Sequence, residues 1–197
     1  MWQPDYCTLP EFKAWVTLTD TIDDVVMATV ITAASRAIDH DTNRQFGKVA
    51  AAELRTYRAR PDYELGRWTV DVDDFQDATG LVVSVVDAGT VATFVKEPFN
   101  AAQKGRPWTR VTFTDGSEFE PSTHPHEVAV TALWGWTAVP EPVKQATLLQ
   151  ASRVLKRRHS PEGVAGFGEF GAVRVSMKVD PDVSVMLRDY RRLRSVF

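Results

Sequence analysis

A single cysteine, Cys7, occurs in 197 residues, so no internal disulfide and no cysteine-built zinc site can form. Long apolar runs are also missing. The longest, Val25 to Ala34, is broken by Thr29 and Thr32 and flanked by Asp23, Asp24 and Asp39, whereas a membrane-spanning helix needs about 20 predominantly apolar residues. The first ten residues carry Asp5 and have neither a basic start nor an apolar stretch, which is not the pattern of a secretory leader. Together these absences predict a soluble protein with no membrane partner. There is no Gly-x-Ser-x-Gly elbow, no P-loop and no pair of carboxylates on a recognisable catalytic frame, which lowers the expectation of an enzyme.

What is present is ordinary globular material, 44% hydrophobic and 25% charged, sufficient for a real core. The net charge of −3 hides an asymmetry: residues 1–142 carry −9 and residues 143–197 carry +6. Such a split hints at an interaction surface, although arginines that merely solvate long helices produce it equally well.

Thr8, Pro10 and Glu11 read as a capping box opening a short helix through Phe12, Trp15 and Val16. Asp20 or Thr21 should cap a longer helix running to about Asn43, with Asp23 and Asp24 suiting its dipole. That helix is apolar on two sides. Ile22, Val26, Val30, Ala33 and Ala37 form one face; Val25, Ala28, Ile31 and Ile38 form another. A helix apolar nearly all round must be covered nearly all round, by a neighbouring subunit or by the rest of its own chain.

From about Lys48 the pattern becomes short β-branched or aromatic segments: Glu53 to Arg60, Arg67 to Val72, Leu81 to Val86, Val91 to Glu97, Arg110 to Phe113 and Val128 to Trp134. Turn signals separate them, among them Arg60-Pro61-Asp62 and Ala78-Thr79-Gly80. The stretch ends in a Trp134-Gly135-Trp136 corner. Pro140 and Pro142 then open a helix to His159 with Lys156, Arg157 and Arg158 in its last turn. A glycine-dense loop follows, in which Gly163, Gly166, Gly168 and Gly171 supply a hinge, and Ala172 to Val179 reads as an extended arm. Asp180 and Pro181 start a last helix with an apolar stripe of Val183, Met186, Leu187, Tyr190 and Leu193. The expected class is α+β: a four-helix core from residues 1–47 and 138–197, interrupted by an antiparallel barrel- or sandwich-like insertion over residues 48–137, with the arm and helix at the C-terminus.

Three local patterns imitate chemistry. Gly166-Phe-Gly168-Glu-Phe-Gly171 has the letters of a dinucleotide fingerprint, but a helix precedes it and an extended arm follows, the reverse of the strand-then-helix order that cradles a pyrophosphate. Asp71-Val-Asp73-Asp74-Phe-Gln-Asp77 lacks the glycine and the bidentate glutamate of a calcium loop. His124, His126 and Glu127 lie without the spacing that aims side chains at one metal. No cofactor or metal is expected. The arginines of the last helix permit a nucleic-acid-binding module, although docking on an acidic protein surface explains them equally well.

Several segments, in order, resemble the head-tail connector (adaptor, head-completion) proteins of long-tailed bacteriophages. They are Tyr6 to Lys13, Thr19 to Asp24, Ala33 to Asp39, Thr42 to Phe46, Thr79-Gly80-Leu81, Trp134 to Trp136 running on to Arg158, Ser160 to Val164, and Tyr190 to Arg192. The resemblance covers nearly the whole chain. It implies a structural ring, typically twelvefold, beneath the portal at the capsid vertex of the virion, assembled from chains made in the host cytoplasm. It also implies a lumen through which genomic double-stranded DNA passes and a platform for a stopper or other tail protein. Neighbouring subunits would then pack through Ile22, Val25, Val26, Val30, Ala33 and Ala37. The C-terminal region, with Arg174, Arg188, Tyr190, Arg191, Arg192 and Arg194, would engage the portal. The family carries no catalytic residues.

Overall fold

The computed structural model describes residues 4–86, 90–115, 119, 126–158, 164–165, 173–174 and 180–192. It is of mixed helix and antiparallel sheet, the α+β class expected from the sequence. The chain forms two compact units, residues 1–46 with 139–197 and residues 47–138.

In the first unit, helix α1 spans Leu9–Val16. Its capping box is reciprocal: the Glu11 amide donates to Thr8 Oγ1 at 3.4 Å, and the Thr8 amide donates to Glu11 Oε2 at 2.7 Å. Helix α2 spans Asp24–Thr42, with Asp23 as its N-cap. The sequence reading placed that cap at Asp20 or Thr21. Instead, Asp20 Oδ1 accepts from the Ile22 amide at 3.1 Å, so the carboxylate closes a tight turn before the helix and Ile22 stays outside it. Helix α3, Glu141–Arg158, begins where the Pro140 carbonyl accepts from Val143 and Lys144, with Pro142 in the first turn, where its missing amide costs nothing.

These helices close on a core of Cys7, Phe12, Met27, Val30, Ile31, Ala34, Leu148 and Ala151. Each large side chain buried there contributes about 1.5–3 kcal/mol. Burial pushes the Cys7 thiol up to about 11, which makes it a small hydrophobe rather than a nucleophile. Helix α4, Pro181–Leu187, is capped by Asp180, which accepts from the Asp182 amide at 3.0 Å, and is followed by a 3₁₀ turn over Arg188–Tyr190. Val183 and Leu187 are fully buried.

The second unit is built on one sheet. Its strands are β1 (Glu53–Arg58), β2 (Arg60–Asp62), β3 (Arg67–Val85), β4 (Thr90–Val91), β5 (Phe94–Glu97), β6 (Trp108–Phe113) and β7 (Glu127–Trp134). The order is β1-β7-β3-β6-β5, with β2 and β4 pairing to β3. Two turns expected from sequence are strand. Arg60 to Asp62 pair with β3, and the turn falls after them, where Asp62 Oδ1 accepts from the Glu64 and Leu65 amides. Pro61 is tolerated because β2 pairs on one side only. Ala78-Thr79-Gly80 lies within the single 19-residue β3, whose register against β7 shifts on both sides of Asp77. Gly80, at φ +70°, absorbs the irregularity.

The Trp134-Gly135-Trp136 corner ties the sheet to its own entry point. The Gly135 amide donates to the Asp74 carbonyl, and the Trp136 amide to the Gly47 carbonyl at 2.8 Å. Gly135 sits at φ +102°, and a Cβ there would lie 1.9 Å from the Gly47 oxygen, so only glycine fits. Trp136 Nε1 donates to buried Asp74 at 2.9 Å, and Trp134 Nε1 to the Glu53 carbonyl at 2.8 Å.

In the C-terminal stretch, Val164–Ala165 (β8) pairs antiparallel with Val173–Arg174 (β9), Val164 opposite Arg174. The hinge glycines 163, 166, 168 and 171 lie outside the described residues, as do most of the extended arm and Arg194.

Candidate assembly surface

The α1–α2 corner is held rigid by charge. Lys13 Nζ meets Asp24 Oδ1 at 2.8 Å and also donates to the Asp20 carbonyl at 2.5 Å. Glu11 meets Lys144 of α3 at 2.7 Å. That ammonium, together with the Thr8 amide and hydroxyl, holds the Glu11 carboxyl down at about 2.

From this braced corner a stripe of side chains faces solvent. Ile22 is 89% exposed and Val25 80% exposed, and Ala28, Thr29, Thr32 and Ala33 continue the stripe along α2. The Thr29 hydroxyl donates to the Val25 carbonyl at 3.0 Å, and the Thr32 hydroxyl lies 3.0 Å from Asp5 Oδ2 and 3.2 Å from the Ala28 carbonyl. The stripe ends at half-buried Arg36, whose Nε meets Asp39 at 3.0 Å and whose Nη2 donates to the Pro4 carbonyl. Trp15 and Leu18 are exposed beside the same corner in sequence. Isolated apolar residues on a surface need no explanation; a contiguous run on one helix face does.

The six residues named from sequence as an interface do not form one surface. Ile22, Val25 and Ala33 are exposed, and Val26 and Ala37 are half-buried. Val30 belongs to the helical core and is 9% exposed. Sequence periodicity identified the helix but gave no direction to its two apolar faces, because Ile31, Ala34 and Ile38 are the ones its neighbours cover.

The basic C-terminal residues are similarly divided. Arg191 makes a two-pronged bridge to Asp41 of α2, Nη2 to Oδ2 at 2.9 Å and Nε to Oδ2 at 3.2 Å, and also donates to Ser184. The Arg192 amide donates to the Thr42 carbonyl at 2.8 Å. The Tyr190 ring stands edge-on to Phe46 at 5.9 Å. Residues 190–192 therefore dock on the end of α2. Arg188 is exposed, and Arg174 lies on β9.

Beneath that docking point, buried Tyr6 donates its hydroxyl to Asp39 and accepts from the Phe46 amide at 3.0 Å. Burial first, and the Asp39 carboxylate second, push the phenol far above its ordinary range, so it is a structural donor. In the β unit, His126 is buried between Trp68 and Phe119, with ring centroids at 5.0 and 5.3 Å. No group of three or more acidic, histidine or cysteine side chains able to hold a metal occurs among the described residues.

Sequence reasoning missed a second surface. On β1, Arg55 and Tyr57 face inward, with the Arg55 guanidinium 4.9 Å and the Tyr57 ring 5.7 Å from the Trp134 ring, while Leu54 faces out. Alternation in Glu-Leu-Arg-Thr-Tyr-Arg signals a strand but does not say which parity is inside.

No protein-family model matches this chain, and no curated protein does. Among solved structures it is similar to a chain from the neck of an empty gene transfer agent (GTA) particle computed with C6 symmetry. Identity is 20%, the match covers 98% of this chain and 97% of that chain, and the TM-score is 0.56. A chain from the virion of a native gene transfer agent particle is similar at 19% identity, over 98% of this chain and 94% of that chain, with a TM-score of 0.52. At such identities the likeness is one of fold. Over nearly its whole length, the chain thus has the fold of chains from the neck and virion of gene transfer agent particles.

Proposed function

We propose that this protein is a structural component of the neck of a phage-type particle: a head-to-tail adaptor whose copies form a ring beneath the portal and carry the stopper or tail. The end-to-end fold likeness to a neck chain carries the reading. A repeated assembly needs surfaces that a lone chain leaves uncovered, and the Ile22–Ala33 stripe supplies one. The acidic balance of residues 1–142 suits a lumen through which DNA slides, because each phosphate neutralised by a cation would add sequence-independent affinity. The docking of Arg191 on Asp41 leaves that arginine less available to DNA and favours this reading over a nucleic-acid-binding module. Arg188, Arg174 and Arg194 are the candidates for portal contact.

Electron microscopy of particles labelled on this chain tests the proposal. Label between head and tail is the expected result. Label elsewhere, with purified chain that never forms closed rings, overturns it. Duplex DNA binding that falls steeply with salt would instead favour the nucleic-acid module.

A further inference from the structure

The outer face of the β unit carries an uncharged patch that an exposed antiparallel sheet does not normally leave bare. Strand register aligns its residues in rows. Leu54, Thr131 and Val82 lie opposite one another across β1, β7 and β3. In the next row Thr56, Ala129, Ser84 and Val91 cross β1, β7, β3 and β4. Neither row contains a charge. Leu54 is 66% exposed, Val91 72% and Val82 44%. Among the described residues, charges appear in the following row, where Arg58 lies opposite Glu127, and at the other end, where Lys48 holds Asp77 at 3.0 Å.

The helical unit carries a matching surface. Between Val25 and Ala33 every exposed residue of α2 is itself uncharged. The Thr29 hydroxyl already donates to the helix backbone, and the Thr32 hydroxyl lies 3.0 Å from the Asp5 carboxylate, which brings one charge to the C-terminal end of the stripe. From Val25 to Ala33 the helical part of the stripe is about 12 Å long at the helical rise. The row of four strands is about 14 Å across at the ordinary strand spacing. A helix laid on this sheet through Val25, Ala28 and Thr29 would remove both faces from water while the Asp5 carboxylate, held by Thr32, stays at one end of the contact. An acidic partner, DNA included, would find no cation between Val25 and Ala33, and a basic partner only the Asp5 carboxylate at one end.

Resting on the ring reading above, we infer that the two faces are the two halves of one contact. The α2 stripe of each copy packs on the outer β1-β7-β3-β4 face of the next. A contact between unlike surfaces is head-to-tail, and head-to-tail contacts generate rings when their rotation closes. A second copy of this chain is therefore the occupant of both faces.

Thiol pairing in the full-length chain tests this. Val25→Cys and Val82→Cys are prepared separately, native Cys7 being buried and serving as the unreactive control. Each variant alone and an equal mixture are oxidised under conditions where sedimentation shows association. The mixture should give at least about tenfold more covalent dimer than either variant alone, a ratio set by contact geometry rather than affinity. Dimers formed only between like variants would overturn the pairing. So would rings that form without any mixed bond, which would leave the ring reading intact. A chain that stays monomeric at every concentration would overturn both. In a second measurement, Val25→Asp should weaken self-association about tenfold or more, and Val82→Lys in the same chain should recover part of the loss. No recovery, with both variants folded, counts against the contact.

Discussion

The helical unit and the β unit bury their interiors in opposite ways. The helical unit brings together two ends of the chain, residues 1–46 and 139–197, and its central helix is apolar on more sides than it can cover. The β unit is one continuous stretch, residues 47–138, whose interior alternates strictly along β7: Val128, Val130, Ala132 and Trp134 inside, Glu127, Ala129, Thr131 and Leu133 on the other side. A strand therefore declares its two faces, whereas a helix such as α2 leaves the choice to its neighbours. Each unit also exposes one face with few charges, and those two faces are the places where assembly is proposed.

The largest loss of stability is expected in the β unit. Gly135→Ala forces a Cβ onto the Gly47 carbonyl and should cost about 3 kcal/mol or more. Tryptophan fluorescence reads mainly this unit, because four of the six tryptophans, Trp68, Trp108, Trp134 and Trp136, lie in it, Trp2 and Trp15 being in the other. Gly80→Ala is the control: its φ is also positive but the space around it is open, so the loss should stay near 1–2 kcal/mol. Equal losses at both glycines would refute the close-approach argument.

In the helical unit, Val30→Asp and Val25→Asp separate core from surface. Val30→Asp places an unpaired carboxylate in the core and should cost about 3 kcal/mol, seen as earlier loss of helical circular dichroism in urea. Val25→Asp should shift that transition by less than about 0.5 kcal/mol while impairing assembly. Matching shifts would mean that the two valines share one environment.

Trp136→Phe removes the Nε1 donor from Asp74 and should destabilise the β unit by about 1–3 kcal/mol, leaving the helical signal unchanged. Arg191→Ala should cost about 1 kcal/mol or less, and its sharper readout is hydrogen exchange. The Arg192 amide, bonded to Thr42, should lose protection, and an unchanged rate would remove Arg191 from the docking of residues 190–192.

The smallest effect is acidic. The folded Glu11 carboxyl lies at about 2, below the ordinary value near 4.3. Its contribution is therefore complete above about pH 4.3 and disappears as pH falls toward 2. Because Glu11 is 40% exposed, solvent screening keeps the effect below about 1 kcal/mol. Lys144→Met should flatten that part of the stability profile.

Much of this architecture was legible locally. Thr8 with Glu11 and Asp180 with Pro181 mark helix starts because a cap is satisfied within three residues. The Trp-Gly-Trp corner was visible as a strand end, but the need for glycine came only with the approach of Gly47, 88 residues earlier. The turn at Ala78-Thr79-Gly80 was misread because a bulge and a turn use the same residues. On the candidate surface, Ile22 and Val25 were legible as apolar and helix-associated. Val30 was grouped with them because its periodicity is the same, and Leu54 was passed over because nothing in its own strand reveals that Arg55 and Tyr57 lie against Trp134.

By itself the sequence determined where α1 and α4 begin, since their caps are closed by hydrogen bonds between near neighbours in the chain. It also determined the α+β class, through the change from helical to alternating periodicity after Lys48. Only the tertiary structure decided which face of α2 is covered and which parity of β1 points inward. Those choices are made by partners such as Leu148, Ala151 and Trp134, roughly 80 to 120 residues away in the chain, and no local pattern encodes the direction from which a distant partner arrives.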